Sequence, residues 1–288
     1  MTQQTWFITG SSRGFGRALT LAALEAGDRV VATARRPEQL SDLVEQFGDN
    51  VLPVALDVTD SAQAVAAIDA AVEKFGRVDV VVNNAGYANI APVETAPEDD
   101  FRQQFDTNFW GVYHVSKAAL PVLKKQGAGL IIQFSSLGGR VGSTPGLGAY
   151  QAAKFAVDGL TRVLAAETAP LGLKYLVVEP GGFATDWAGS SMDIQAIPEE
   201  YQATVGAVAG IMGSPITQAG DPQRAGETLV RVAKLAEIPS HFVLGADAAQ
   251  YAIDYSLSQI AEASRWKVAS ASLDFGQPYP VRLPGENA

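Results

Sequence analysis

A serine, a tyrosine and a lysine follow one another in the stretch SLGGRVGSTPGLGAYQAAK. Tyr150 stands fourteen residues after Ser136, and Lys154 four after Tyr150. The run over residues 149–167 reads as a helix, so Tyr150 and Lys154 at i and i+4 share one face. A phenol near neutral pH is almost wholly protonated and is a poor base. An ammonium one turn away favours the phenolate and is expected to lower the tyrosine pKa toward working pH. A serine hydroxyl arriving from the preceding loop can hold a carbonyl or alcohol oxygen beside the phenol. Such a group of side chains transfers a proton, and it needs a hydride partner.

A place for that partner is legible at the other end of the chain. Trp6 to Thr9 reads as a strand, LTLAALEAG as a helix, and between them lies Gly10-Ser11-Ser12-Arg13-Gly14-Phe15-Gly16. Glycines in a strand-to-helix turn let the backbone approach a pyrophosphate, whose charge then sits at the helix N-terminus. The spacing is GxxxGxG, and its position after the first strand of a βαβ series is what a nucleotide turn requires.

The elements that must carry these groups repeat regularly. RVVATA, VLPVAL, VDVVVN, GLIIQF, KYLVVE and HFVL are further strands, each nearly continuous in apolar residues. Helices are expected over residues 37–47, from a cap in Thr59-Asp60-Ser61 to Phe75, around 101–125, over 149–167 and over 222–236, and several end at glycine. Repeated strand, helix and glycine stop signals a parallel sheet covered on both faces. The expectation is therefore one α/β domain spanning 1–288, Rossmann-type and doubly wound, with about seven parallel strands. Two segments fall outside the alternation. Residues 186–221 are rich in Gly, Ser, Ala and Pro and follow a strand end, which suits a mobile substrate lid with Trp187, Met192, Ile197 and Met212 facing the chemistry. After about residue 245 comes a C-terminal extension, and beyond Trp266 it reads as extended or loosely packed.

Composition narrows the partners. A net charge of −10 argues against nucleic acid or an anionic membrane surface. The chain has no cysteine, which excludes disulfide and thiolate chemistry and suits a reducing cytoplasm. Two histidines, His114 and His241, make a histidine-based metal site unexpected, and no metal is assigned. No apolar run approaches the roughly 18 residues that span a bilayer.

Taken with Asn83-Asn84-Ala85-Gly86 after the fourth strand, Asn108 in DTNFWG, and Pro180-Gly181-x-x-x-Thr185 after the sixth, these motifs resemble the short-chain dehydrogenase/reductase family in order from about residue 5 to 245. The resemblance implies Tyr150 as acid/base and Lys154 as the group that tunes it and holds the nicotinamide ribose. It implies Ser136 as the group positioning the substrate oxygen, and Asn108 as the residue ordering a proton-relaying water. It further implies that the 10–16 turn holds the pyrophosphate, that Asp57 and Val58 meet the adenine, and that Asn84, Ala85 and Gly86 flank the cofactor. Pro180, Phe183 and Thr185 would lie along the carboxamide, with Phe183 contributing backbone. The interval from Ser136 to Tyr150 is one residue longer than the family's usual spacing, and the extra residue is expected to bulge within 141–148. The long C-terminal region with Pro239-Ser240-His241-Phe242 resembles the branch of 17β-hydroxysteroid dehydrogenases and related bacterial reductases. A homodimer or homotetramer paired through the helices at 101–125 and 149–167 is the family's expectation.

The dinucleotide follows from the end of strand two. An acid there accepts hydrogen bonds from both ribose hydroxyls of NAD and repels a 2′-phosphate. Here Ala34 stands in its place and Arg35-Arg36 follow. By the resemblance, Arg13 points from the same side, and converging guanidiniums make bidentate, charge-assisted bonds to a phosphate. The expected cofactor is NADP(H), and the expected reaction interconverts a carbonyl and a secondary alcohol. Oxidation of bulky apolar alcohols such as steroids or retinoids, and a non-catalytic NADP(H) sensor, are the competing readings.

Overall fold

The computed structural model describes residues 3–189, 192–212, 214 and 218–286. Seven strands form one parallel sheet: β1 (Thr5–Ile8), β2 (Arg29–Ala34), β3 (Val51–Ala55), β4 (Val80–Asn83), β5 (Gly129–Phe134), β6 (Leu173–Pro180) and β7 (His241–Leu244). Their order is β3-β2-β1-β4-β5-β6-β7, so the direction of winding reverses between β1 and β4. A crevice opens outside the carboxyl ends of the strands at such a reversal, and ligands of this architecture bind there.

Alternation along each strand builds the two apolar layers. Trp6, Ile8, Val80 and Val82 face one side, with α1 (Gly14–Glu25) packed over them. Phe7, Val31, Val81 and Ile131 face the other, under α3 (Ser61–Phe75). The short α2 (Ser41–Phe47) follows a 3₁₀ turn, Pro37–Leu40, where one helix over 37–47 is expected from sequence. Helix α3 starts at Asp60, whose carboxylate accepts from the amides of Ala62 and Gln63, and it ends at Gly76 in the left-handed region at φ 76°.

The helix expected around 101–125 is interrupted. It divides into α4 (Glu98–Phe105), a π-helical turn over Asp106–Trp110, and α5 (Gly111–Gln126). The single wide turn rotates Asn108 inward, where it is fully buried. Next come α6 (Gly148–Thr168), the short α7 (Ala207–Ile211) and α8 (Pro222–Ala233), which packs beside α1.

The C-terminal extension departs from the sequence reading. It forms α9 (Ala246–Ala271), which carries the chain past Trp266 as helix. A Trp266 indole N–H to Glu262 Oε1 bond of 2.7 Å links consecutive turns. Irregular chain begins only after Ser272, where Leu273 and Phe275 are exposed as expected. Among the described residues no helix is long and apolar enough to cross a membrane.

Candidate active site

The glycine turn leads from β1 into α1 with Gly10 at φ 70° and Gly14 at φ 55°, conformations that side chains resist. A Cβ on Gly16 would collide with the Gly10 carbonyl and lie 2.5 Å from Asn84 Nδ2, so this position tolerates only glycine. At Gly14 the same atom would meet only Thr185, at 3.6 Å, so the turn is open toward the loop after β6. No side chain caps α1 and no acid sits in its first turn. Its leading amides are therefore left for an anion. A cleft of about 460 Å³ opens here, lined by Gly14, Arg17, Thr185 and Asp186 among others.

Two residues expected to reach the cofactor are occupied in building the turn. Ser11 is buried, and its hydroxyl donates to the Ile8 carbonyl at 2.9 Å. Asn84 Nδ2 donates to the Thr9 and Gly10 carbonyls at 2.9 and 3.3 Å. Thr9 completes the lock, its Oγ1 accepting from the Asn84 and Ala85 amides at 2.9 and 3.0 Å. A motif identifies such residues without saying which way their side chains turn. Ser12 and Phe15 are half-buried in the same turn.

At the β2 end Arg35 and Arg36 are exposed, as is Arg13 across the turn. None of the three has a carboxylate partner among the described residues, whereas the neighbouring Arg17 is paired with Asp42. Asp57 accepts from the Thr59 amide at 3.0 Å, and the buried Val58 packs closely on Gly111, forming the crevice wall.

At the opposite end, Ser136, Tyr150 and Lys154 come together. Tyr150 and Lys154 lie on the buried face of α6, with Lys154 Nζ 5.6 Å from the centre of the Tyr150 ring. Nζ also donates to the Phe134 carbonyl at 2.8 Å. Burial pushes the Tyr150 phenol up to about 12, and the neighbouring Ser136 hydroxyl, which accepts from the Gly138 amide at 3.0 Å, offsets part of that rise. Burial also pulls Lys154 down to about 8. Desolvation opposes both charges, and for each group it is the largest effect.

Asn108 Nδ2 donates to the Tyr87 and Gln104 carbonyls, each at 2.8 Å. Its Oδ1 is buried without a partner among the described residues. A Cβ on Gly86 would lie 2.5 Å from that oxygen and 3.4 Å from Lys154 Nζ. The bare Gly86 backbone, the orphan acceptor and the amine form a cradle that suits a polyhydroxylated group such as a ribose. With the uncapped α1 amides, the residues present fit a dinucleotide.

The loop after β6 and the segment beyond it cover the site. Phe183 turns its ring onto Phe15, 4.9 Å between centres, and Gly220 leaves room for it. Pro180 is half-buried at the β6 end, and Thr185 Oγ1 accepts from the Trp187 amide at 3.4 Å. Trp187 rests on Tyr150 with ring centres 5.1 Å apart. Met192, Ile197, Tyr201 and Met212 join it over Ile90, Leu147 and Val205. The Ile90 amide donates to the Asp193 carbonyl at 2.8 Å and the Gln195 amide to the Ile90 carbonyl at 2.9 Å. Residues 190, 191, 213 and 215–217 of the expected lid lie outside the described residues. Within 141–148, Gly142 and Ser143 both adopt left-handed conformations, φ 69° and 61°.

A buried lysine is a cost to the fold that can be measured. Between pH 8 and 10.5 the unfolded chain holds the Lys154 proton more tightly than the native one, so the penalty is full below pH 8 and gone above 10.5. Lys154→Met is expected to stabilise the ligand-free protein by about 1–3 kcal/mol at pH 7. The gain should fade across that window, and denaturant unfolding at several pH values reads it.

Three comparisons bear on this geometry. Residues 4–195 match the family described as short chain dehydrogenase. An oxidoreductase of Botryotinia fuckeliana, BOA17, is 51% identical over 92% of this chain and 97% of that protein. A short-chain dehydrogenase from Streptomyces avermitilis superposes with a TM-score of 0.88 at 35% identity, covering 95% of this chain and 99% of that one. An alcohol dehydrogenase from the archaeon Thermococcus sibiricus, complexed with 5-hydroxy-NADP, gives a TM-score of 0.69 at 27% identity, covering 84% and 96%.

Proposed function

The chain belongs to the short-chain dehydrogenase family, and from that premise we propose that it is an NADP(H)-dependent oxidoreductase interconverting a carbonyl and a secondary alcohol. One observation carries the reading: a buried phenol, Tyr150, beside Ser136 and with the Lys154 amine over its ring, at the carboxyl edge of the sheet. When bound, the nicotinamide supplies or takes up the hydride. Tyr150 gives its hydroxyl proton to the substrate oxygen in reduction and takes one back in oxidation. Ser136 holds that oxygen in line. Lys154, kept near Gly86, would hold the ribose and relay protons between the phenol and a water on the unpartnered Asn108 Oδ1, inward to restore Tyr150 after reduction and outward after oxidation. The leading amides of α1 take the pyrophosphate.

NADP(H) is favoured over NAD(H) by Ala34 at the β2 end and by the unpaired Arg13, Arg35 and Arg36 around it. The apolar cover over Tyr150 supports a second reading, that the substrate is a bulky apolar alcohol or ketone. The chain is read as one catalytic domain acting in the cytoplasm, with Trp110, Phe155 and Val163 exposed on α4–α6 for pairing with a second copy.

NADPH oxidation against a panel of cyclohexanone, acetophenone, decanal and a steroid ketone tests this. Turnover of at least one carbonyl supports the proposal. NADPH binding with no turnover of any panel member favours the non-catalytic sensor instead.

A further inference from the structure

Glu179 is the one acid in the β6 sequence LKYLVVEP, and it is buried to 1% exposure. A carboxylate placed there needs a partner. It has Arg140, whose Nε donates to Glu179 Oε2 at 2.8 Å. None of the steps above uses this pair, yet each end is joined to a part of the site. Arg140 lies four residues after Ser136, in the same turn. That turn is closed by the Gly139 amide donating to the Ser136 carbonyl at 2.9 Å and the Arg140 amide to the Leu137 carbonyl at 3.0 Å. Glu179 immediately precedes Pro180. On the other side of Ser136, the Ser135 amide donates to the Val178 carbonyl at 2.9 Å. Ser136 is therefore bracketed by two attachments to the end of one strand, a backbone bond before it and an ion pair after it.

The bracket matters because the loop is rich in glycine, and within it the Ser136 hydroxyl is held, among the described residues, only by the Gly138 amide, which donates to Oγ at 3.0 Å. Leu137 is followed by Gly138 and Gly139, and Gly142 comes soon after. A Cβ on Gly139 would collide with Ser135 Oγ and lie 2.8 Å from Lys154 Cβ, so the turn lies flat against α6 with no side chains to wedge it. Without Arg140, Ser135 is the remaining anchor to β6. We infer that Arg140 and Glu179 are positioning residues, a clamp that holds the Ser136 hydroxyl at the Tyr150 phenol. This rests on the reading of Ser136 and Tyr150 given above. The other charged groups around Glu179 are His241 of β7 and Asp158 of α6, paired to each other at 2.7 Å, with Arg162 on the same Asp158. They are left intact in the test.

The test is a double-mutant cycle between Arg140→Met and Ser136→Ala, read as kcat for the fastest carbonyl of the panel, NADPH affinity by fluorescence, and the pH profile of kcat. Arg140→Met is expected to lower kcat about tenfold, less than the ~10²-fold that a full ångström of misplacement costs, with NADPH affinity within about twofold. The alkaline limb of alcohol oxidation should move to higher pH, because the Ser136 hydroxyl beside the phenol lowers its pKa. Arg140→Lys should restore part of the rate. In the Ser136→Ala background Arg140→Met should add almost nothing. Glu179→Gln, which keeps the volume and one acceptor, gives the same pattern should Arg140→Met fail to fold. Unchanged kcat and pH profile, or equal losses in both backgrounds, would overturn the clamp alone. Native activity in Ser136→Ala by itself would overturn the site reading and the clamp with it.

Discussion

Tyr150→Phe is expected to cut turnover by about 10²–10⁴-fold while NADPH affinity stays within about twofold, because only the proton donor is removed. The ring stays, and with it the contact to Trp187 and the packing against Ile90, Leu147 and Val205. The pH dependence makes the expectation sharper. Burial pushes the phenol up to about 12 in the ligand-free site, so the donor form is present throughout the neutral range. Carbonyl reduction, which needs that form, should therefore be nearly flat there. Alcohol oxidation needs the phenolate and should rise toward alkaline pH. The rising limb belongs to Tyr150 and should vanish in the variant. Steady-state rates in both directions, with NADPH binding followed by fluorescence, decide the matter. A variant with near-native turnover would exclude Tyr150 as the acid/base.

Cofactor choice is the second large effect. The native protein is expected to prefer NADP(H) over NAD(H) by at least about tenfold in kcat/KM, or roughly 1.4 kcal/mol of transition-state binding. Arg35→Asp should reverse that preference. The change removes a phosphate partner and restores an acid that the ribose hydroxyls of NAD can bond, so both halves of the ratio move. Arg35 is exposed and without a carboxylate partner, so its replacement disturbs no ion pair among the described residues. Arg17 is the useful contrast. It is bound to Asp42, so replacing it frees an acid and disturbs the α1–α2 contact. Equal efficiency with both dinucleotides in the native protein would refute the assignment of Arg13, Arg35 and Arg36 to a 2′-phosphate.

The sheet was legible because its strands are continuous apolar runs bounded by turn residues. RVVATA, GLIIQF and HFVL coincide with β2, β5 and β7. That the strands run parallel followed from the same alternation, since parallel neighbours need crossover helices. Less legible was whatever depends on a side chain's direction. Ser11 and Asn84 stand in the expected motifs yet bond the turn itself. The spacing of Tyr150 and Lys154 gave their shared face but not their burial, and burial sets the sign of both pKa shifts. The π-helical turn at Asn108 leaves no composition signal. Helix α9 escaped because three of its turns, from Leu257 to Val268, are exposed all round, so no stripe separates an inner from an outer face. Arg140 and Glu179 lie thirty-nine residues apart. A lone acid in a strand announces that it needs a partner without naming it.

The contact between Trp187 and Tyr150 has a thermodynamic consequence for selectivity. On the proposed reading, a substrate that approaches the phenol across this face would displace the indole, and its measured affinity would be its own contact energy less what the displaced ring gives up. An offset aromatic pair is worth about 0.5–1.5 kcal/mol beyond the area it hides, and Met192, Ile197 and Met212 stand behind it. A small carbonyl cannot refill that surface and binds at a net loss. A molecule with a broad hydrocarbon face regains what the indole surrendered. On that reading the resting protein would compete with its own ligands, and the competition would discriminate by how much greasy surface the newcomer brings rather than by any polar group that recognises it.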